Sequence, residues 1–342
     1  MAADAPTLAQ HLRRSPEAYP HTWDPAADAV FFMLMGEADY AHASFLDQRI
    51  LSPQTPGEWM AWARLEGLVA DLPERLGFIF HIGHVGSTLI SRLLGADPGV
   101  LALREPAPLR QLAQIRGPSP EAYAARLPTW LKLWSRAFHE GQLPVIKATS
   151  FASECASDIL ARACRPPALM LYAKPQAYIS GILAGPNSSQ EARAMAPSRL
   201  QRLNARLGSD GFDLNALSPG EAVAMSWASE MASLKAGAAG HEAQADWMDF
   251  DAFLADPEPN LARAFARLGL MPDTAAVEAL IASPIMRQYS KAPEHAYDAR
   301  LRAEVLASGA EESGNELRKG LTWLDAAAKR HPLIAEVLGI AA

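Results

Sequence analysis

The stretch from residue 78 to 94 constrains the fold more than any other part of this chain. Residues 78–82 (FIFHI) are a compact apolar run entered through Gly77, which reads as a buried strand. Gly83-His84-Val85-Gly86-Ser87-Thr88 follows at once, and then an apolar helix opening, residues 89–94, that stops at Gly95. A turn with two glycines and two hydroxyl residues, set between a strand and a helix start, presents backbone N–H groups to an anion. The helix dipole adds favourable partial charge at the same point. Gly83 and Gly86 permit backbone angles and a close approach that a side chain blocks, while Ser87 and Thr88 can donate hydroxyl hydrogen bonds. The competing reading is a tight strand–helix connection that binds nothing.

The rest of the chain fits an α/β fold around that turn. Further strands are expected at 100–103, 144–147 (PVIK), 168–172 (ALMLY) and 245–250 (ADWMDF). Between them, 108–115, 121–139, 153–163 and 221–239 have helical composition and spacing. Strands alternating with helices predict a three-layer, P-loop-type architecture with a mostly parallel central sheet. Residues 1–70 read as an N-terminal extension packed on that core, a layer of helices that can include short strands, with 30–35 (VFFMLM) as one strand candidate and 59–72 as a helix. The P-loop domain then occupies 71–342, with 187–217, rich in Arg, Ser and Asn, as a lid candidate and a helical C-terminal addition after Asp256.

Charge and cysteine content exclude several classes. A net charge of −7 argues against a general nucleic-acid binder, which needs a basic excess to replace condensed counterions. Cys155 and Cys164 are too few for a disulfide framework or a four-ligand metal site, and read as reduced, buried thiols. The first twenty residues lack the charged-then-apolar pattern of a signal peptide, and no run of about 18 apolar residues occurs, so a cytoplasmic protein without a membrane span is expected.

The type of P-loop follows from what surrounds Gly86. The nucleoside-triphosphate version needs G-x-x-x-x-G-K-[ST]. Here His81 stands at the first glycine position and Ser87 at the lysine position, so an ATPase or GTPase is disfavoured. The loop instead resembles that of the sulfotransferase family, [KR]-S-G-[ST]-[ST], matched by His84-Val85-Gly86-Ser87-Thr88 ahead of an apolar helix. In this match His84 replaces a permanent cation. Residues 248–270 (MDFDAFLADPEPNLARAFARLGL) also resemble the family's strand and helix ending in F-L-G-L. The likeness covers about residues 77–270.

That resemblance implies 3′-phosphoadenosine 5′-phosphosulfate (PAPS) as donor, with no metal, and transfer of a sulfuryl group to a hydroxyl or amine of a small-molecule acceptor. It implies that Gly83, Gly86, Ser87, Thr88 and His84 hold the phosphosulfate. Glu105, just past the second core strand, takes the place of a carboxylate base; the other reading is a surface ion pair or a helix-start carboxylate before Pro106. Lys147, at the end of the third core strand, either faces the crevice and holds sulfuryl oxygens or acceptor, or snorkels to solvent. Tyr172-Ala173-Lys174-Pro175 through Ser180 resembles the 3′-phosphate segment R-[DN]-P-…-S, with Ala173 in the place of its arginine, Lys174 as the cation at hand and Ser180 one residue early. Arg318-Lys319-Gly320 is similar to the family's R-K-G cofactor motif, although Trp323 stands where its second glycine belongs. Tyr289-Ser290-Lys291 is a further basic candidate, and His295 and Asp298 are polar candidates in a nearby loop. His81, inside the strand, reads as a hydrogen-bonded core histidine, and Trp130 and Trp134 as core packing. Two other functions fit the loop: a P-loop protein that binds a nucleotide or another partner without catalysis, and a small-molecule kinase, which lacks the lysine it needs after Gly86.

Overall fold

The computed structural model describes residues 8–208, 211–290 and 294–342. Three strands precede the loop: β1 (Ala18–Asp24), β2 (Ala29–Leu34) and β3 (Gly57–Ala61), antiparallel in the order β1-β2-β3. They lie among the helices Leu8–Arg14, Glu37–His42 and Trp62–Val69, so the N-terminal addition holds a small sheet as well as the expected helices. Although 30–35 is apolar throughout, its burial alternates, with Val30 and Phe32 inward and Phe31 partly exposed, as in a sheet wet on one face. The helix expected from residue 59 starts instead at Trp62, and Trp59 lies opposite Phe31 in the ladder with ring centroids 5.4 Å apart. Such a cross-strand aromatic pair favours strand over helix there.

The five predicted core strands all form: β4 (Gly77–His81), β5 (Val100–Arg104), β6 (Leu143–Lys147), β7 (Ala168–Tyr172) and β8 (Ala245–Asp249). They make one parallel sheet in the order β5-β6-β4-β7-β8, flanked by helices. Every residue of β4, β5, β6 and β7 is buried, which is why these strands read as largely apolar rather than alternating. Neighbouring strands β4 and β6 feed chain that continues in opposite directions across the sheet. A ligand crevice forms beyond the C-terminal ends of such a pair.

The N-terminal segment is bonded to the sheet beside β5. Leu46 N–H donates to Arg104 C=O at 2.6 Å, and Ala107 N–H to Leu46 C=O at 3.2 Å. The buried guanidinium of Arg104 donates to the carbonyl of Tyr40 at 2.9 Å. Arg136, also buried, donates to the carbonyls of Ser15 and Ala18, both at 2.9 Å. Burial lowers both arginines to about 10.

The helices follow the predicted segments with moved ends. Residues 108–115 and 221–239 become Ala107–Ile115 and Pro219–Ala238. The 121–139 helix stops at Trp134, and 153–163 splits into a 3₁₀ turn, Ser150–Cys155, and a short helix, Ala156–Leu160. Residues 187–217 hold the long helix Pro186–Leu207 and a 3₁₀ turn, Leu214–Ala216. Pro219–Ala238 crosses Gly314–Arg330 so closely that a Cβ on Gly220 would fall 1.9 Å from the carbonyl oxygen of Glu316. Cys155 is buried as expected, but Cys164 is exposed, since it falls in the turn beyond Ala156–Leu160, where its thiol faces Glu74. Among the described residues no helix is long and apolar enough to cross a membrane.

Candidate active site

The site is built outward from the end of β4. His81 is a buried residue whose Nδ1 accepts the Gly83 N–H at 2.9 Å, so its Nε2 carries the proton and donates to Ala148 C=O at 2.7 Å. This neutral ring pins the first turn of the loop. Gly83, His84 and Gly86 then all take positive φ, at 82°, 54° and 66°. For a histidine this left-handed geometry is uncommon. The helix Ser87–Leu94 begins with no side chain capping its N-terminus, so its first N–H groups, which have no intrahelical partners, have no capping side chain either. Thr88, 3% exposed, has a buried hydroxyl without a hydrogen-bond partner. An uncapped terminus beside an unsatisfied hydroxyl is a place where a phosphate or sulfate group fits.

The two glycines differ in purpose. A Cβ on Gly83 would meet nothing closer than 3.8 Å, with Ser150 Oγ and an Nη of Arg199 nearest. A Cβ on Gly86 would lie 1.9 Å from Cε2 of Phe250. Gly86 is thus required by its φ and by the packing of Phe250 as well as by any approaching ligand, which narrows the role expected for it.

The loop forms the floor of a cavity of about 910 Å³ at the C-terminal edge of the sheet. Glu105 and Lys147 line the same cavity. Glu105 follows β5 directly with φ at 55°, and its N–H continues the ladder to Lys147 C=O at 2.7 Å. Their side chains are ion-paired through Glu105 Oε1. Lys147 is only 1% exposed, which overturns the snorkelling reading. A lysine buried this deeply requires a carboxylate partner. His84 Nε2 lies 3.2 Å from Glu191 on the Pro186–Leu207 helix.

Sequence reading missed several groups on the cavity wall. Arg199 and Arg302, 4% and 8% exposed, reach it from the helices Pro186–Leu207 and Ala299–Glu312. Burial opposes the charge of Arg199, but Tyr178, Glu230 and Glu191 outweigh it, and its pKa is raised. Phe45, Asp47 and Arg49 contribute from the N-terminal segment, and Thr149, after β6, adds a second buried hydroxyl without a partner. On sequence alone these were ordinary helix charges and loop residues.

Four expected donor-site residues do not line this cavity. Lys174 is exposed at the N-terminus of the helix Pro175–Ala184, and Ser180 is buried in that helix, where its carbonyl meets Gly309. Arg318 and Lys319 are exposed on Gly314–Arg330, with Lys319 paired to Glu316 at 2.7 Å. Asp298 lines the cavity but its carboxylate accepts the Leu301 N–H, and His295 lies outside the lining, 73% exposed. Lys291 lies outside the described residues. Trp130 and Trp134 stack in the core, centroids 5.3 Å apart. Among the described residues no cluster of three or more His, Cys, Asp or Glu is arranged to hold a metal.

No family model matches the chain, and no curated protein does. Among solved structures it is similar to the sulfotransferase domain from the curacin biosynthetic pathway, at 12% identity, covering 75% of this chain and 99% of that one with a TM-score of 0.40. It is also similar to the sulfotransferase domain of the Synechococcus PCC 7002 olefin synthase, at 15% identity and coverages of 70% and 95%, with a TM-score of 0.39. The sulfotransferase from Alicyclobacillus acidocaldarius gives 14%, 71% and 94%, with a TM-score of 0.35. Each of these three solved structures is a sulfotransferase or a sulfotransferase domain.

Proposed function

We propose that the chain transfers a sulfuryl group from PAPS to a hydroxyl or amine of a small-molecule acceptor. One observation carries this reading. The uncapped Ser87–Leu94 terminus, with its unsatisfied Thr88 hydroxyl, shares a single cavity with a carboxylate, Glu105, that a buried lysine holds in place. Bound PAPS would supply an electrophilic sulfur and a phosphate leaving group. The N–H groups at Gly86, Ser87 and Thr88 are placed to stabilise charge growing on that phosphate, which is where preorganised donors act most strongly. Glu105 accepts the proton from the acceptor O–H or N–H as the new bond to sulfur forms. Lys147 bonds Oε1, so Oε2 is the oxygen left to take that proton.

A second reading has its own support. The positions that resemble the family's 3′-phosphate segment, Lys174 and Ser180, lie off the cavity, which favours a protein that binds a nucleotide without turning over PAPS.

Calorimetric titration with 3′-phosphoadenosine 5′-phosphate in EDTA, against ATP with Mg²⁺, tests the donor. Micromolar binding of the bisphosphate is expected; no binding, or a preference for ATP with Mg²⁺, sinks the sulfotransferase reading. Glu105→Gln is expected to keep that binding and to lower kcat by roughly 10²–10⁴-fold once an acceptor is found. Binding without turnover of any acceptor tried would move the conclusion to the second reading.

A further inference from the structure

The position of the loop cation and that of the 3′-phosphate arginine are held by His84 and Ala173. Two buried arginines that reach the same cavity share one construction. Arg199 donates through Nε to Glu230 at 2.9 Å, and Arg302 donates through Nε to Asp251, also at 2.9 Å. Among the described residues neither makes a hydrogen bond through its terminal Nη groups. Nor are those nitrogens among the buried polar atoms without partners. They therefore keep an open side, and both residues line the cavity. A carboxylate on Nε fixes the plane of a guanidinium and leaves the paired Nη edge, which matches two oxygens of a phosphate.

The two arginines come at the loop from different flanks. An Nη of Arg199 is 3.9 Å from the place of a Cβ on Gly83. Arg302 sits 4.8 Å above the ring of Phe250, and that ring is the one pressed against Gly86. Arg199 is further fixed because its anchor, Glu230, also accepts from Arg202 at 2.7 Å. Neither anchor belongs to the strand–loop–helix unit, so the charges come from helices more than a hundred residues downstream of the loop.

We infer that Arg199 and Arg302 form a clamp for two separate anionic groups of one ligand, one on each flank of the loop. The identity of that ligand as a nucleoside bisphosphate rests on the proposed function; the clamp itself rests on the two arginines.

The test is calorimetry on the full chain with Arg199→Gln, Arg302→Gln and, as control, Arg300→Gln, whose side chain is 77% exposed and paired with Glu304. Circular dichroism and melting temperature check folding. Arg199→Lys and Arg302→Lys, which keep the charge and lose the fork, replace any glutamine variant that fails to fold. With 3′-phosphoadenosine 5′-phosphate, each glutamine variant is expected to lose about 10- to 100-fold in affinity, as for a lost charged hydrogen bond, while the control does not change. With adenosine 5′-phosphate, which lacks one anionic group, only one of the two variants is expected to lose affinity. Equal loss in both with the monophosphate would overturn the two-group clamp, and wild-type affinities throughout would overturn it outright. If wild type binds neither nucleotide, the proposed donor fails and the clamp is tested with inorganic pyrophosphate. Pyrophosphate binding that is weakened in both variants upholds the clamp, and no binding overturns it.

Discussion

Glu105 and His84 hold backbone angles that glycine would hold more comfortably, and both sit on the cavity. Such strain costs of order 1–3 kcal/mol and persists where the surroundings fix it. At Glu105 the ladder bond from its N–H to Lys147 C=O and the ion pair above it do the fixing. Gly86 shows the opposite case, a site where only glycine fits. Gly86→Ala places a methyl group within the Phe250 ring at positive φ, so a loss of about 1–3 kcal/mol is expected by thermal or urea denaturation. Measured in a Phe250→Ala background, Gly86→Ala should cost less than it does in wild type, because the ring that it meets is gone. A single Gly86→Ala variant as stable as wild type would show that the ring moves aside freely. The glycine spacing made this loop readable from sequence. The reason for Gly86 was not, since Phe250 lies 164 residues away and only the fold brings it there.

At the scale of elements, the helix Pro219–Ala238 shows how one start is secured twice. Ser218 and Glu221 form a capping box, and Glu316, from the crossing helix, accepts the Gly220 N–H at 2.9 Å. Hydrogen bonds from Lys319, Gly220 and Ser218 hold the Glu316 carboxyl at about 2, well below the usual glutamate value. A depressed folded pKa means that this stabilisation is complete above the unfolded value, near 4.3, and is lost as pH falls towards 2. Glu316→Gln should therefore melt below wild type at pH 7, and the gap should close as the two are compared at successively lower pH between 4.5 and 2. A gap that stays constant across that range would mean that the charge is not what matters. Most of the core strands were legible because a parallel strand buried on both faces leaves a largely apolar run without period-2 alternation. The N-terminal sheet was harder to see. Its β2 is apolar on both faces, and its partner β3 is short and mostly exposed, so neither shows a period-2 pattern.

For the whole molecule, Arg104, at the end of β5, and Arg136, between the helix ending at Trp134 and β6, hold the N-terminal segment by donating to its backbone carbonyls rather than to carboxylates. Arg136→Met leaves the carbonyls of Ser15 and Ala18 without their donor, and a loss of about 1–3 kcal/mol is expected. The same midpoint should appear in tryptophan fluorescence and in far-ultraviolet circular dichroism, because this anchor ties the start of β1 to the rest of the fold. Separate midpoints would show that the N-terminal sheet melts independently. The candidate site was legible where neighbouring residues form it, as at 81–88, at Glu105 and at Lys147. It was hidden where distant helices supply it: Arg199 and Arg302 look like any solvated helix charge until the chain is folded. The cavity wall at Phe45, Asp47 and Arg49 is supplied by chain that precedes β4, the strand feeding the loop. That part of the wall and the loop are therefore written in separate passages of the chain, so substitutions at Phe45, Asp47 and Arg49 can reshape the cavity while leaving the loop's own residues unaltered.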